Sequence, residues 1–164
     1  MKNLLVILTA VYKAVLTVMT MALFIIVGVS VFTRYCLNSS LGWSDELSRF
    51  LFIWVTFLGA AYAYALSEHI GLDFVVDRIT SRRVRLTVRL LGEIFIGSVI
   101  LVIAWYGWDV ATSATNVSPA LSIPMTYIYG VVPLTGWLMM IMNLLKIRNW
   151  ICRLRETDPT PEGR

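Results

Sequence analysis

The sequence predicts an all-α integral membrane protein with four transmembrane helices, and three observations carry that prediction. Residues 50–67 are eighteen in a row without a charge, set between two charge-dense clusters. As helix they rise roughly 27 Å, about one bilayer hydrocarbon core. The chain of 164 residues is 58% hydrophobic but only 15% charged, with a mean hydropathy of +0.75, whereas a soluble domain carries about 25% charged residues. That excess of apolar side chains is too large for a core of this size to hide. Finally, the basic residues fall on one side of the predicted topology, as cytoplasmic anchors do.

The first span is expected over about 14–33, after Lys13, and is read as uncleaved because no small-residue cleavage site follows it. Its 27–30 stretch, Val-Gly-Val-Ser, offers a small face for helix packing. Arg34 closes it at the negative end of the helix dipole. A loop over 35–43 leads to Ser44, a good N-cap for the second helix, with Asp45 and Glu46 in the first turn. Asp45 and Arg49 stand four apart, the spacing of a facing pair. The second span runs over about 50–67 and carries Trp54 and a Gly-Ala-Ala group at 59–61.

Residues 69–80 place Leu72, Val75, Val76 and Ile79 at helical spacing with Asp73, Asp77 and Arg78 elsewhere on the wheel. Too short to span, this segment reads as an amphipathic interfacial helix between spans two and three. The third span, about 88–108, encloses Glu93 roughly one turn inside. Glu93 is expected either to pair with Arg89 or to face another protein surface. Residues 112–122 are rich in Ser, Thr and Asn and read as a loop. The fourth span covers about 125–145, with Pro124 at its start. Pro133 removes a backbone bond to Tyr129 and is expected to kink it. One membrane domain over 1–155 and a polar tail over 156–164 complete the organisation.

With four spans both termini share a side. Of the 14 Lys and Arg residues, all but Arg34 and Arg49 fall on that side, which predicts cytoplasmic N- and C-termini. The basic balance, a net charge of +4, therefore describes membrane anchoring, and no nucleic-acid partner is expected. Cys36 and Cys152 fall on opposite sides and are expected to stay unpaired.

Function classes narrow by elimination. One histidine, His69, cannot supply a haem clamp or a metal cluster. No nucleophile, base and orienting acid converge, so no enzyme and no cofactor are expected. A self-contained, small four-span proton-coupled exporter needs a carboxylate inside a span, and Glu93 could serve. The sequons at Asn38 and Asn116 would suit a tetraspan adhesion protein in a eukaryote.

The residues Arg34-Tyr35, Trp43-Ser44-Asp45-Glu46-Leu47-Ser48-Arg49, Trp54-Val55-Thr56-Phe57-Leu58-Gly59-Ala60-Ala61, His69-Ile70 with Asp73, Ser118-Pro119, Ile123-Pro124-Met125, Tyr129 and Pro133 form a longer pattern. It resembles the small, DctQ-type membrane subunit of tripartite ATP-independent periplasmic (TRAP) transporters over about 14–145. The resemblance implies a large polytopic membrane subunit as partner, holding the substrate and sodium sites. It also implies a periplasmic substrate-binding protein that delivers an organic acid of the sialic acid or C4-dicarboxylate type. This chain would then be a scaffold held by membrane lipids and by its partner. Arg34, Asp45, Glu46 and Arg49 are expected to tie the first two helices together and to present Trp43 outward.

Overall fold

The computed structural model describes residues 2–39, 41–66 and 81–156. These fold into helices α1 (Lys2–Cys36), α2 (Gly42–Ala65), α3 (Arg82–Ser113), the short α4 (Met125–Tyr129) and α5 (Val131–Glu156). Four stretches are long and apolar enough to cross a membrane: Val6–Cys36, Gly42–Ala65, Val84–Ser113 and Met125–Leu154. Each extends past the expected span at one end or both, because charged residues at a span's end can remain helical while reaching the interface. The interfacial helix expected over 69–80, with His69 and Asp73, lies outside the described residues, as does the tail beyond Glu156.

α1 ends where Asn38 takes a positive φ of 52°, a left-handed conformation that asparagine tolerates. The Ser39 amide donates back to the Thr33 carbonyl at 3.2 Å. α2 starts at Gly42, two residues before the expected cap. Ser44 therefore lies inside the first turn, fully buried, with its hydroxyl donating to the Leu41 carbonyl at 2.7 Å. Asp45 does stand in the first turn.

The last span is interrupted. α4 closes with the Gly130 amide on the Thr126 carbonyl at 2.9 Å, and a new helix begins at Val131. Pro133 is the third residue of α5, where a helix has no use for its missing N–H. The break thus falls one turn before the proline. Pro124 precedes α4 in an extended conformation, with φ −61° and ψ 127°.

The chain divides into two compact units: Met1–Ala60 with Trp108–Val132, and Ala61–Gly107 with Pro133–Arg164. In the first, the Tyr12 hydroxyl donates to the Leu58 carbonyl at 2.8 Å and links α1 to α2. In the second, α5 comes very near α3. A Cβ added to Gly136 would stand 3.0 Å from the Ala104 Cα and Cβ, and Ala104 has no exposed surface. Small residues allow such an approach and gain dispersion contacts that lipid cannot offer. Of the 27–30 face expected to pack, Ser30 is buried against Asp45, while a Cβ added to Gly28 would meet nothing within 4 Å among the described residues. Burial is uneven. Only 6% of the apolar window of α1 is buried inside the chain, against 33% for the last span.

Candidate functional site

In the first unit the charged residues at the start of α2 hold two other segments. Arg34, in the last turn of α1, donates from Nη2 to Asp45 Oδ2 at 2.8 Å. The Ser30 hydroxyl, one turn earlier, donates to Asp45 Oδ1 at 3.2 Å. Asp45 is thereby directed at α1, and not at Arg49 as its spacing suggested. The reason is steric reach: α1 offers a guanidinium and a hydroxyl together, whereas an i, i+4 pair offers one partner for a few tenths of a kcal/mol. Both charged side chains are about half exposed, so in water the pair contributes about 0–1 kcal/mol. Its value rises where lipid or protein excludes water.

Glu46 turns elsewhere. Its carboxylate accepts the Ser118 hydroxyl, the Ala120 amide at 3.1 Å and the Leu121 amide at 3.3 Å. Ser118 is almost fully buried. The loop that supplies these donors is closed on itself. The Ser118 amide reaches the Ile123 carbonyl, the Ser122 amide the Ser118 carbonyl, and the Met125 amide the Asn116 carbonyl, all within 3.0 Å. Ser122 takes a positive φ of 53° to make the turn, and the Thr126 hydroxyl closes the base on Ala114 at 2.8 Å. Consecutive amides aimed at one point make an anion cradle, here filled by the chain's own Glu46.

Arg49 is exposed and acts on Glu46 through charge alone. It lines, with Leu23, Phe24 and Val27 of α1 and Phe52 of α2, an open and mainly apolar groove of about 450 Å³. Trp43 and Trp54 are both partly exposed. Pro124 is exposed and Tyr129 half-buried.

In the second unit, Glu93 is buried with 7% of its surface exposed. Its Oε2 accepts the Tyr64 hydroxyl at 2.9 Å and the Asn143 amide at 3.2 Å. Asn143 Nδ2 also lies 2.8 Å from the Tyr64 hydroxyl and 3.1 Å from the Glu93 carbonyl. Lys146 donates to the Tyr64 carbonyl at 2.7 Å and lies 3.8 Å from the centroid of the same ring. Gly97, one turn past Glu93, leaves room for Asn143, since a Cβ there would stand 2.5 Å from Asn143 Oδ1. The carboxylate is thus spent on joining α2, α3 and α5. A proton-driven exporter would have to break this cluster to use it.

Tyr64 and Asn143 were missed by sequence reasoning, and Ser118 and Lys146 figured there without these contacts. The signal for Asn143 was present: a strongly polar residue in a charge-free span needs a partner, and Glu93 was the buried group in want of one. Tyr64 gave no such signal, because tyrosine near a span's end usually marks the interface. Among the described residues no group of three or more His, Cys, Asp or Glu side chains could hold a metal ion.

Residues 23–153 match the family described as tripartite ATP-independent periplasmic transporters, DctQ component. The chain is 31% identical over 130 residues to the C4-dicarboxylate TRAP transporter small permease protein DctQ of Rhodobacter capsulatus, which covers 76% of this chain and 55% of that protein. The chain therefore spans little more than half the length of that relative. It is also 31% identical over 118 residues to the sialic acid TRAP transporter small permease protein SiaQ of Vibrio cholerae, covering 71% of this chain and 68% of that protein. The sialic acid TRAP transporter permease protein SiaT of Haemophilus influenzae is 27% identical over 120 residues, which are 73% of this chain but 19% of that protein.

Proposed function

The chain belongs to the DctQ component family of the tripartite ATP-independent periplasmic transporters, and we propose that it acts there as a membrane scaffold for a larger permease subunit. It is a TRAP small permease subunit and a multi-pass protein of the bacterial inner membrane. One observation carries the scaffold reading. In the SiaT relative, the stretch matching most of this chain is a minor part of one much longer permease polypeptide. A segment that is covalently joined to a large remainder in one protein has that remainder as its natural partner when it is made separately.

The physical properties of the chain support this role. Most of the apolar surface of α1 is left uncovered by the chain itself, so lipid and a partner share it. The buried polar groups around Glu93 hydrogen-bond one another, which suits a rigid support better than a substrate path. The proposal has the termini on the cytoplasmic side, as the distribution of Lys and Arg favours. It also has the Arg34–Asp45 and Glu46–Ser118 contacts on the periplasmic side, where a substrate-binding protein docks. The imported substrate is an organic acid and sodium is the coupling ion. The relatives named for C4-dicarboxylates and for sialic acid share a carboxylate, which supports the substrate class.

Co-expression with an affinity-tagged large subunit of the same system, followed by reconstitution into proteoliposomes, tests the proposal. The two chains are expected to purify together. With the binding protein and an inward sodium gradient they are expected to take up an organic acid, and this chain alone is expected to take up none. Uptake by this chain alone, or failure to purify with the large subunit, would refute it.

A further inference from the structure

We propose that the groove between α1 and α2 binds one zwitterionic phospholipid whose headgroup ends in a primary ammonium, as that of phosphatidylethanolamine does. The groove is open, about 450 Å³ in volume, and lies wholly within the first compact unit. Leu23, Phe24 and Val27 of α1 and Phe52 of α2 form its apolar wall, and Asp45 and Arg49 are its charged members. Phe24 is 75% exposed and Phe52 61%, so the chain itself leaves this wall bare for an acyl chain.

The chemistry of the groove changes with depth in the order of such a lipid. α2 begins at Gly42, which is also the end of a span. Along that helix Asp45 lies roughly 4 Å inward, Arg49 roughly 10 Å and Phe52 roughly 15 Å. On α1 the apolar members sit two to three turns inside Arg34, a residue of its last turn. From the boundary inward the order is carboxylate, guanidinium, hydrocarbon. A phosphatidylethanolamine molecule runs ammonium, phosphate, acyl chain over the same path. Long basic side chains at a membrane boundary bury their stems along apolar surface and keep the charged head at headgroup level, which suits Arg49 to the phosphate.

Both charged groups have bonding capacity left. Among the described residues Arg49 makes no hydrogen bond or ion pair. Glu46 acts on it through charge alone, while the Glu46 carboxylate is held by Ser118, Ala120 and Leu121. A guanidinium grips a phosphate through paired N–H groups. Asp45 accepts one bond from Arg34 and one from Ser30 and is about half exposed. A carboxylate has about four acceptor positions, so an ammonium can share it with Arg34. The charges of Arg34, Asp45, Glu46 and Arg49 cancel, which favours a zwitterion over an anionic headgroup. Phosphatidylcholine carries both charges but has no N–H to give Asp45, and phosphatidylglycerol has no cation.

Native mass spectrometry of the detergent-purified chain, titrated separately with phosphatidylethanolamine, phosphatidylcholine, phosphatidylglycerol and free phosphoethanolamine, tests the site. Phosphatidylethanolamine is expected to bind about tenfold more tightly than the other two lipids, the worth of one charged hydrogen bond. Phosphoethanolamine, which lacks acyl chains, is expected not to compete with it. Arg49→Gln is expected to weaken phosphatidylethanolamine about fivefold, at the usual worth of one basic residue near the membrane. Asp45→Asn is expected to remove the preference over phosphatidylcholine. Val27→Trp, which fills the groove and alters no charge, is expected to weaken all three lipids at least about tenfold by displacing acyl-chain methylenes. Arg148→Gln, exposed and not lining the groove, is expected to change binding less than about twofold. Arg49 and Val27 are both exposed, and either variant alone decides the point. Equal affinity for the three lipids would overturn the headgroup assignment, and equal losses in Arg49→Gln and Arg148→Gln would reduce it to net charge. Competition by phosphoethanolamine would make this a soluble-ligand site. A Val27→Trp chain that binds lipid as before but no longer purifies with the large subunit would assign the groove to that protein and overturn the proposal.

Discussion

Asn143→Leu is the substitution that most directly tests how the membrane-buried part of the chain is held. Leucine keeps the branched, four-heavy-atom outline of the asparagine side chain but is bulkier, so the change removes the hydrogen bonds without a cavity and adds some crowding. Nδ2 approaches the Tyr64 hydroxyl, the Glu93 carbonyl and Glu93 Oε2 at 2.8 to 3.2 Å, but its two hydrogens make about two full bonds. Between transmembrane helices such bonds average about 0.6 kcal/mol and reach about 1.7, so their direct loss is about 1–3 kcal/mol. The Glu93 carboxylate, 7% exposed, loses an amide donor, and an under-satisfied buried polar group costs about 1–3 kcal/mol. The expected total is about 2–4 kcal/mol, read as a shift in unfolding by SDS in mixed micelles and followed by helicity. Because Glu93→Met removes the group left wanting, the double variant is expected to be more stable than the sum of the single losses by at least about 1 kcal/mol. Gly97→Ala, which pushes a methyl to 2.5 Å from Asn143 Oδ1, is expected to reproduce part of the loss without touching a polar group. An Asn143→Leu cost below about 0.5 kcal/mol, or strict additivity with Glu93→Met, would refute the reasoning.

Gly136→Leu is expected to destabilise the chain by about 1–3 kcal/mol through overpacking against Ala104, while Gly28→Leu, which meets nothing within 4 Å, stays within about 0.5 kcal/mol in detergent unfolding. Cys36 and Cys152 are both exposed. A membrane-impermeant maleimide added to intact spheroplasts is expected to label Cys36 and spare Cys152, and the reverse pattern would invert the proposed topology. Arg34→Ala and Asp45→Ala are expected to couple by less than about 1 kcal/mol in detergent, but to reduce recovery of the large subunit together. Unchanged recovery would leave the pair as a local tie between α1 and α2. Glu46→Ala withdraws the acceptor of Ser118, Ala120 and Leu121, and limited proteolysis is expected to cut the 114–124 loop faster. An unchanged rate would mean that the loop's own bonds suffice.

The spans were legible because lipid imposes a long-wavelength constraint: some twenty apolar residues, with charges only at the ends. That constraint acts on the chain one segment at a time, so no tertiary information is needed to find it. The family pattern was legible for a related reason, since its most specific block, 43–61, is contiguous in sequence. Pro133 could be weighed locally too, because a missing N–H and a ring clash act on the preceding turn, where the helix is divided at Gly130 although that residue keeps helical angles of −59° and −21°.

Pairing was a different matter. Asp45 has an i, i+4 partner in Arg49 and an acceptable cap in Ser44, and sequence favours such neighbours because they are the ones it can see. The folded chain made the expected tie from Asp45 to Arg34 across α1 and α2 but added Ser30 to it, and it gave Glu46 to a loop more than seventy residues away. Glu93 likewise took Tyr64 and Asn143, two residues far from it in sequence. In each case the acceptor took donors that the approach of two or three helices had already fixed in place, which lowers the entropy cost of each bond. Sequence by itself determined which segments enter the membrane and which residues are too polar to sit there unpaired. Only the tertiary structure decided which of those residues meet, because that depends on helix register and crossing, set by close contacts such as Gly136 on Ala104 that leave no periodic trace in the chain.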